Sequence, residues 1–390
     1  MAAKPSRAWL HVVMLALCHA MSDFYATTFT PLVETFRSML GLSVVGVSVI
    51  GALIGVFGSM IQPVLGIWSD RTDRGKLAAG GLLVSAVFIS QIGLAPNVVV
   101  LTLLLIGGAL GVAAFHPSGA VLAVRDGARR SLAMAFFITG GGLGLALAPW
   151  TVTGIVKHLG LPWLRMIALP GVAFAIWLFL ASRREPRGAA TPMVWSWRPL
   201  FARGTGAVWA LFGMAVVRSL AVTAFCFYVS VLGATRGWGL ERSGGALSAF
   251  LAFGVAGSLV GGYVADRMDH RVLMAASCAL AAPFFFVFAR TSGPWSIPAF
   301  AAAGFLFSMA NPVNVSLAQE LRPRSASMMS GLMMGLAWGI ASVLLTVVGA
   351  LARVIGIAGA LQAMAVVGAF GGLFVFFLPR RDLQSVMRNP

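Results

Sequence analysis

Apolar stretches long enough to cross a bilayer recur from one end of the chain to the other. A spanning helix needs about 20 such residues. They occur at 9–34, 44–68, 77–95, 98–122, 131–155, 161–181, 206–233, 243–265, 272–290, 296–320, 325–352 and 356–379. Turn signals separate several of them: Pro96-Asn97, Gly160-Leu161-Pro162 and Gly293-Pro294. With 59% hydrophobic and 10% charged residues in 390, the chain lacks the polar surface that a water-exposed exterior requires, since a soluble domain carries about 25% charged residues. The expected architecture is an all-α polytopic membrane protein with 12 transmembrane helices.

The net charge of +17 resembles that of a nucleic-acid binder until the charges are placed. Twenty Lys and Arg residues fall in one alternate set of loops and in the termini, seven fall in the other set, and Arg218 lies within a helix. Such asymmetry is the positive-inside pattern. It predicts a multi-pass inner (plasma) membrane protein with both termini and the loop at 182–205 in the cytoplasm, and no nucleic-acid partner. That loop carries Arg183, Arg184, Arg187, Trp195 and Trp197, which suits a linker lying at the headgroups.

Cys18, Cys226 and Cys278 lie far apart inside apolar runs and read as packing residues. The first run is too long for a cleaved leader and reads as a spanning helix. No phosphate loop, nucleophile elbow or metal-spaced His/Cys cluster occurs. The expectation is therefore a chain that is not an enzyme, has no cofactor or metal site, and is driven by an ion gradient.

The two halves echo each other. Gly66-Ile67-Trp68-Ser69-Asp70-Arg71-Thr72-Asp73-Arg74 recurs as Gly262-Tyr263-Val264-Ala265-Asp266-Arg267-Met268-Asp269-His270-Arg271, at an offset of 196. His116-Pro117 recurs as Asn311-Pro312 at 195, and Ser131 with Met134 as Ser325 with Met328 at 194. Nearly constant offsets indicate two parallel six-helix bundles related by an axis along the membrane normal, at 1–181 and 206–390, joined by the linker. In the repeated loop, Gly66 permits close packing, and Asp70, Arg71 and Arg74, with Asp266, Arg267 and Arg271, are charges able to pair with helix ends. They are the candidate conformational lock, to be broken in one state and made in the other.

The duplicated loop resembles the signature loop of the major facilitator superfamily, over the whole chain. Further residues resemble the fosmidomycin-resistance branch of drug/proton antiporters: His19-x-x-x-Asp23, Gln62-Pro63, the Asp70 loop, Phe115-His116-Pro117, and Gly140-Gly141 with Gly144 and Pro149. Ser22, Ser118, Gly142 and Ala148 depart from that branch's usual Asn, acid, Asn and Gly. The resemblance implies proton-coupled export of a small drug-like or amphipathic compound by alternating access.

Intramembrane ionisable residues are functional candidates by default. Asp23 lies about 21 Å along the first helix from Trp9 and is the candidate carrier of the coupled proton. His19, one turn earlier on the same face, shares its network. Arg218 lies about 17 Å into helix seven; it either pairs with Asp23 across a central cavity in one state or binds an anionic substrate. Tyr25, Phe225, Tyr228, Gln62 and Asn311 are candidate cavity residues. His116-Pro117 reads as a kink near the cytoplasmic side, with the histidine as a gate. Asp126 and Glu320 read as solvated lock partners and Glu34 as extracellular. Met328, Met329, Met333 and Met334 read as apolar lining in preference to a Cu(I) site. The expected partners are a small-molecule substrate, protons and the lipid bilayer, with a monomer sufficient. The alternatives are proton-coupled uptake of an organic anion or of a transition metal such as copper, and a membrane sensor without transport.

Overall fold

The computed structural model describes residues 5–123, 130–182 and 205–379. The expected linker and Asp126 lie outside the described residues. Among those described, eleven segments are long and apolar enough to cross a membrane. The first ten are α1 (Trp9–Met39), α2 (Val44–Ser69), α3 (Arg74–Leu94), α4 (Val98–Ala123), α5 (Leu132–Leu159), α6 (Leu161–Ser182), α7 (Gly206–Thr235), α8 (Leu240–Ala265), α9 (His270–Arg290) and α10 (Ser296–Leu321). The last segment, Met328–Phe377, has 50 residues. A straight helix of that length measures about 75 Å, more than twice the apolar thickness of a bilayer. Gly356 resolves the mismatch. Its φ of 76° and ψ of 163° are open only to a residue without Cβ, and they fold the segment into α11 (328–355) and α12 (357–377). Twelve candidate crossings result among the described residues, with the last break at Gly356, the first residue of the expected 356–379 run.

Several helices depart from regular form. A 3₁₀ turn at Thr30–Leu32, with Pro31, interrupts α1. The π-helical turns Val56–Met60 and Gly331–Leu336 lie within α2 and α11. The two His/Asn-Pro steps behave differently. The helix Val98–Ala123 continues through Pro117, whereas α10 breaks after Ser308 and restarts at Asn311 with Pro312 in its first turn. Proline is tolerated in a helix's first turn because that N–H has no intrahelical acceptor.

Within the first half α1 packs along α5, and α3 packs on α4 and α6. In the second half α8 and α9 pack on α10, and α7 on the α11–α12 pair. The halves meet along α2–α11 and α5–α8. Outward-facing Leu103, Leu169, Val354 and Phe377 are exposed, as a lipid-facing surface requires.

Apolar burial supplies little drive between helices already in lipid, so close packing takes its place. A Cβ at Gly140 would lie 2.3 Å from the Ala16 carbonyl oxygen, and one at Gly144 would lie 1.9 Å from that of Ala20. The matched four-residue steps put the backbones of α1 and α5 in direct contact. Gly257 and Gly261 do the same against the Phe305 and Met309 carbonyls, joining α8 to α10.

Gly144→Ala is expected to destabilise the fold by about 1–3 kcal/mol through overpacking. Gly154→Ala, whose Cβ meets nothing within 4 Å, is the control. Thermal unfolding in detergent checks this by a lower midpoint for the first variant only.

Candidate functional site

Helical spacing sets the first two groups. His19 and Asp23 are four residues apart on α1, so they share a face, and His19 Nε2 lies 3.3 Å from Asp23 Oδ2. The third group comes from α4: His116 Nε2 lies 3.0 Å from Asp23 Oδ1. All three residues lie within membrane-spanning segments. Asp23 is only 9% exposed and His19 7%, while the His116 side chain retains 26% and is the most exposed of the three. Phe137 stacks on the His19 ring at 4.1 Å.

The hydrogen-bond inventory fixes both imidazoles. His19 Nδ1 lies 2.8 Å from the Phe137 carbonyl oxygen, and His116 Nδ1 lies 2.8 Å from that of Val112. A carbonyl only accepts, so each Nδ1 carries its proton and each Nε2 is left facing the carboxyl. A neutral ring then presents a lone pair to Asp23. Paired with a carboxylate that contact is repulsive, and one added proton converts it into a hydrogen bond, whether written as imidazolium–carboxylate or as imidazole–carboxylic acid. The arrangement can therefore hold and release a proton within the membrane.

Helix α5 closes over this group. A Cβ at Gly141 would lie 2.5 Å from both Asp23 Oδ2 and His19 Cε1 and 2.7 Å from His19 Nε2. Gly141 thus makes room for the cluster, while Gly140 and Gly144 hold α5 at that distance.

The second half holds a cation at the matching place. The 195-residue offset that relates His116 to Asn311 also relates Asp23 to Arg218. Arg218 is 4% exposed. It donates to Ser277 Oγ (3.0 Å), Asn311 Oδ1 (3.0 Å) and the Phe307 carbonyl, and its Nη1 lies 3.2 Å from Cys278 Sγ. Its guanidinium sits 4.2 Å from the centre of the Phe307 ring. In each half the polar residue before the proline of α4 or α10 thus meets a charged residue of α1 or α7. Of the two readings of Arg218, the pairing with Asp23 is not made in this conformation: Asp23 faces His19 and His116, and Arg218 donates to neutral groups of its own half.

The remaining candidates separate. Tyr25 is buried and donates to the Ile167 carbonyl at 2.6 Å, tying α1 to α6. Phe225 is buried among Phe285, Phe288 and Phe300. The Tyr228 hydroxyl lies 3.2 Å from the Leu345 carbonyl and bonds Ser48, stitching the halves together. These three are packing residues, not cavity lining. Gln62 donates to the Gly58 carbonyl at 2.8 Å beside the π turn of α2. Asn311 is exposed while bound to Arg218. His116, expected as a separate gate, is part of the Asp23 cluster. Met328, Met329 and Met333 are buried, and Met333 Sδ accepts from Asn314.

In the repeated loops Gly66 is buried, and Arg71, Asp266 and Arg267 are exposed. The Asp70 side chain lies outside the described residues. Arg267 donates to the Tyr263 carbonyl and lies over its ring. The sequence reading missed the second aspartates: Asp73 caps α3 through the Lys76 N–H and Asp269 caps α9 through that of Arg271. An Asp just before an apolar helical run is the signal that marks them. It also missed links between the halves at the end away from these loops, where Glu241 of α8 meets Lys157 and His158 of α5, and Ser230 of α7 accepts from the Glu34 N–H of α1.

The sequence model of the Major Facilitator Superfamily matches residues 15–346. The chain belongs to this superfamily. Its members are transporters, not enzymes, and the chain is a multi-pass membrane protein for secondary transport of small molecules by alternating access. It is 25% identical over 380 residues to a protein of Bacillus subtilis (strain 168) named "Uncharacterized MFS-type transporter YfnC", covering 94% of this chain and 92% of that one. It is 24% identical to the "Fosmidomycin resistance protein" of Escherichia coli (strain K12), covering 87% and 85%. The crystal structure of a bacterial homolog to the human lysosomal transporter Spinster, inward-facing and occupied, superposes with a TM-score of 0.76 at 16% identity, covering 96% of this chain and 97% of that chain.

Gly141→Ala is expected to lower transport by roughly 10- to 100-fold through displacement of the cluster, with Gly154→Ala near wild type. Initial rates in proteoliposomes, normalised to inserted protein, provide the check.

Proposed function

We propose that this protein is a proton-coupled exporter of a small drug-like or amphipathic compound, with Asp23, His19 and His116 as the proton site. One observation carries the reading: a membrane-buried carboxyl lies between two imidazoles whose Nδ1 atoms are committed to carbonyls, so that a single proton changes one of the two contacts from repulsion to a hydrogen bond. An ionisable group at this depth is costly to keep unless it works. The name of the Escherichia coli relative, a resistance protein, supports export. The loop-charge asymmetry supports placement in the inner membrane with both termini in the cytoplasm. In this reading Gly66, Asp70, Arg71, Arg74, Asp266, Arg267 and Arg271 form the lock on that side, and a single chain suffices.

A second reading, proton-coupled uptake of an organic anion, is favoured by Arg218. No carboxylate pairs with it among the described residues, and an anionic substrate would balance a cation buried in the membrane. Membership in a transporter family argues against a non-transporting sensor.

Flux into and out of proteoliposomes under an imposed pH gradient tests both, with a fluorescent drug panel, fosmidomycin and a set of organic anions. Export is expected for compounds of the drug panel, falling to background in Asp23→Asn while thermal stability is retained. Full gradient-driven transport by Asp23→Asn would refute the proton assignment. Movement of anions alone, abolished by Arg218→Gln, would replace the first reading with the second.

A further inference from the structure

From the geometry of the same three side chains, we infer that His19, Asp23 and His116 also form a binding site for a divalent transition-metal ion of the Zn²⁺ class, which takes the place of the shared proton. The inference uses the residues of the proposed proton site and asks what else fits between them.

Sequence spacing does not show this site, because His116 comes from a different helix. The fold assembles it. The donor atoms of the three residues lie within 4.8 Å of one another, and the two nitrogen–oxygen separations are 3.3 and 3.0 Å. Ligand atoms on a tetrahedral ion with bonds of about 2.0–2.1 Å are themselves a little over 3 Å apart; each imidazole nitrogen already has that spacing from one oxygen of Asp23, His19 from Oδ2 and His116 from Oδ1. Small side-chain rotations complete the set.

The outer contacts are those of a metal site. An imidazole that ligates through Nε2 usually donates its other N–H to a carbonyl or carboxylate, which fixes the ring and makes the free nitrogen more basic. Here both rings do so, toward Phe137 and Val112. His19 Nε2 is a buried nitrogen with no hydrogen-bond partner among the described residues. It is held 3.3 Å from a carboxylate oxygen without a bond's alignment, as expected of a lone pair directed at a third atom. Two imidazoles and one carboxylate form a borderline ligand set suited to Zn²⁺ or Fe²⁺ and poorly suited to Cu⁺, which prefers sulfur. The set leaves coordination positions open, and the partial exposure of His116 provides a way in.

The charge also balances. With both rings neutral the carboxylate gives the cluster a charge of −1, and a cation is what the buried group lacks. A proton or a divalent ion can supply it, and the two exclude each other because they need the same lone pairs.

The test is titration of the purified full-length protein in detergent with ZnCl₂, by calorimetry and by competition with a chromophoric chelator, together with the visible spectrum of bound Co²⁺. One ion per chain is expected, with affinity lowered about 100-fold or more by His116→Ala and by His19→Ala, and with Co²⁺ bands that change in the same variants. His116→Gln, which keeps size and polarity, serves where the alanine variant fails to fold. His158→Ala, at the Glu241 pair outside the cluster, is expected to leave stoichiometry and affinity unchanged. No saturable binding by the wild type, or binding unaltered in the cluster variants, would overturn the inference, even where Asp23→Asn abolishes proton-driven flux. Saturable, cluster-dependent binding would sustain it, even where flux proves independent of the pH gradient.

Discussion

The contact on which the site depends is the backbone approach of α1 to α5. Gly140 and Gly144 rest on the Ala16 and Ala20 carbonyls, and this brings the Phe137 carbonyl within reach of His19 Nδ1. The same approach stacks the Phe137 ring on the imidazole and sets Gly141 against Asp23. A side chain at either flanking position would part the helices and remove the group that fixes the tautomer of His19. The packing glycines and the ionisable cluster are therefore one device: close packing, the available source of helix association in lipid, is spent where it also fixes a proton position.

Comparison of the halves shows what duplication kept and what it changed. Both keep a pre-proline polar residue on the fourth helix of the bundle facing a charged residue on the first. The charge changes sign, from Asp23 held by His116 to Arg218 held by Asn311. The partners follow from that sign. A carboxylate needs donors, and an imidazole whose Nδ1 proton is committed to a carbonyl supplies one only when its Nε2 is protonated or the carboxyl itself carries the proton. A guanidinium needs acceptors, and an amide oxygen, a hydroxyl and a carbonyl provide them without titrating. The first half thus carries a group whose charge state can alternate, and the second carries one whose charge is permanent.

The spans, the two-bundle organisation and the Asp23–His19 pair were legible in the sequence, because each rests on one-dimensional spacing: runs of about 20 apolar residues, a constant offset, and a separation of four on a helix. The partnership of His116 with Asp23 was not. Depth counted in residues from Trp9 and from Val98 separates them, because a residue count carries neither the tilt of a helix nor the height at which it enters the membrane. The aromatics failed for a different reason. Tyr25, Phe225 and Tyr228 have the composition of cavity lining, and only the facing helices reveal that Ile167, the Phe285–Phe300 cluster and Ser48 with Leu345 enclose them. The Met residues of α11 show the reverse for three of the four: Met328, Met329 and Met333 are buried, as apolar filling requires, while Met334 is exposed.

Of the two helix pairs along which the halves meet, α2 and α11 each carry a π turn, at Val56–Met60 and Gly331–Leu336. The turns face each other: Gly335 approaches the Ser59 carbonyl, and Gly339 packs on Met60. A π turn weakens the regular ladder of a helix at one place, so the ends on either side of it can change direction without unfolding the rest. Further along the same pair, toward the end away from the repeated loops, Gly51 meets Phe227 and Leu345, and Gly55 meets Ser342. On the other seam, α5–α8, Glu241 joins Lys157 and His158 at that same end. Ionic and hydroxyl links at one end, with irregular turns partway along the seam, give the two rigid halves a place to pivot. The Asp23 cluster lies in α1, α4 and α5 of one half alone, so rocking about that seam can change its exposure while leaving its internal geometry intact.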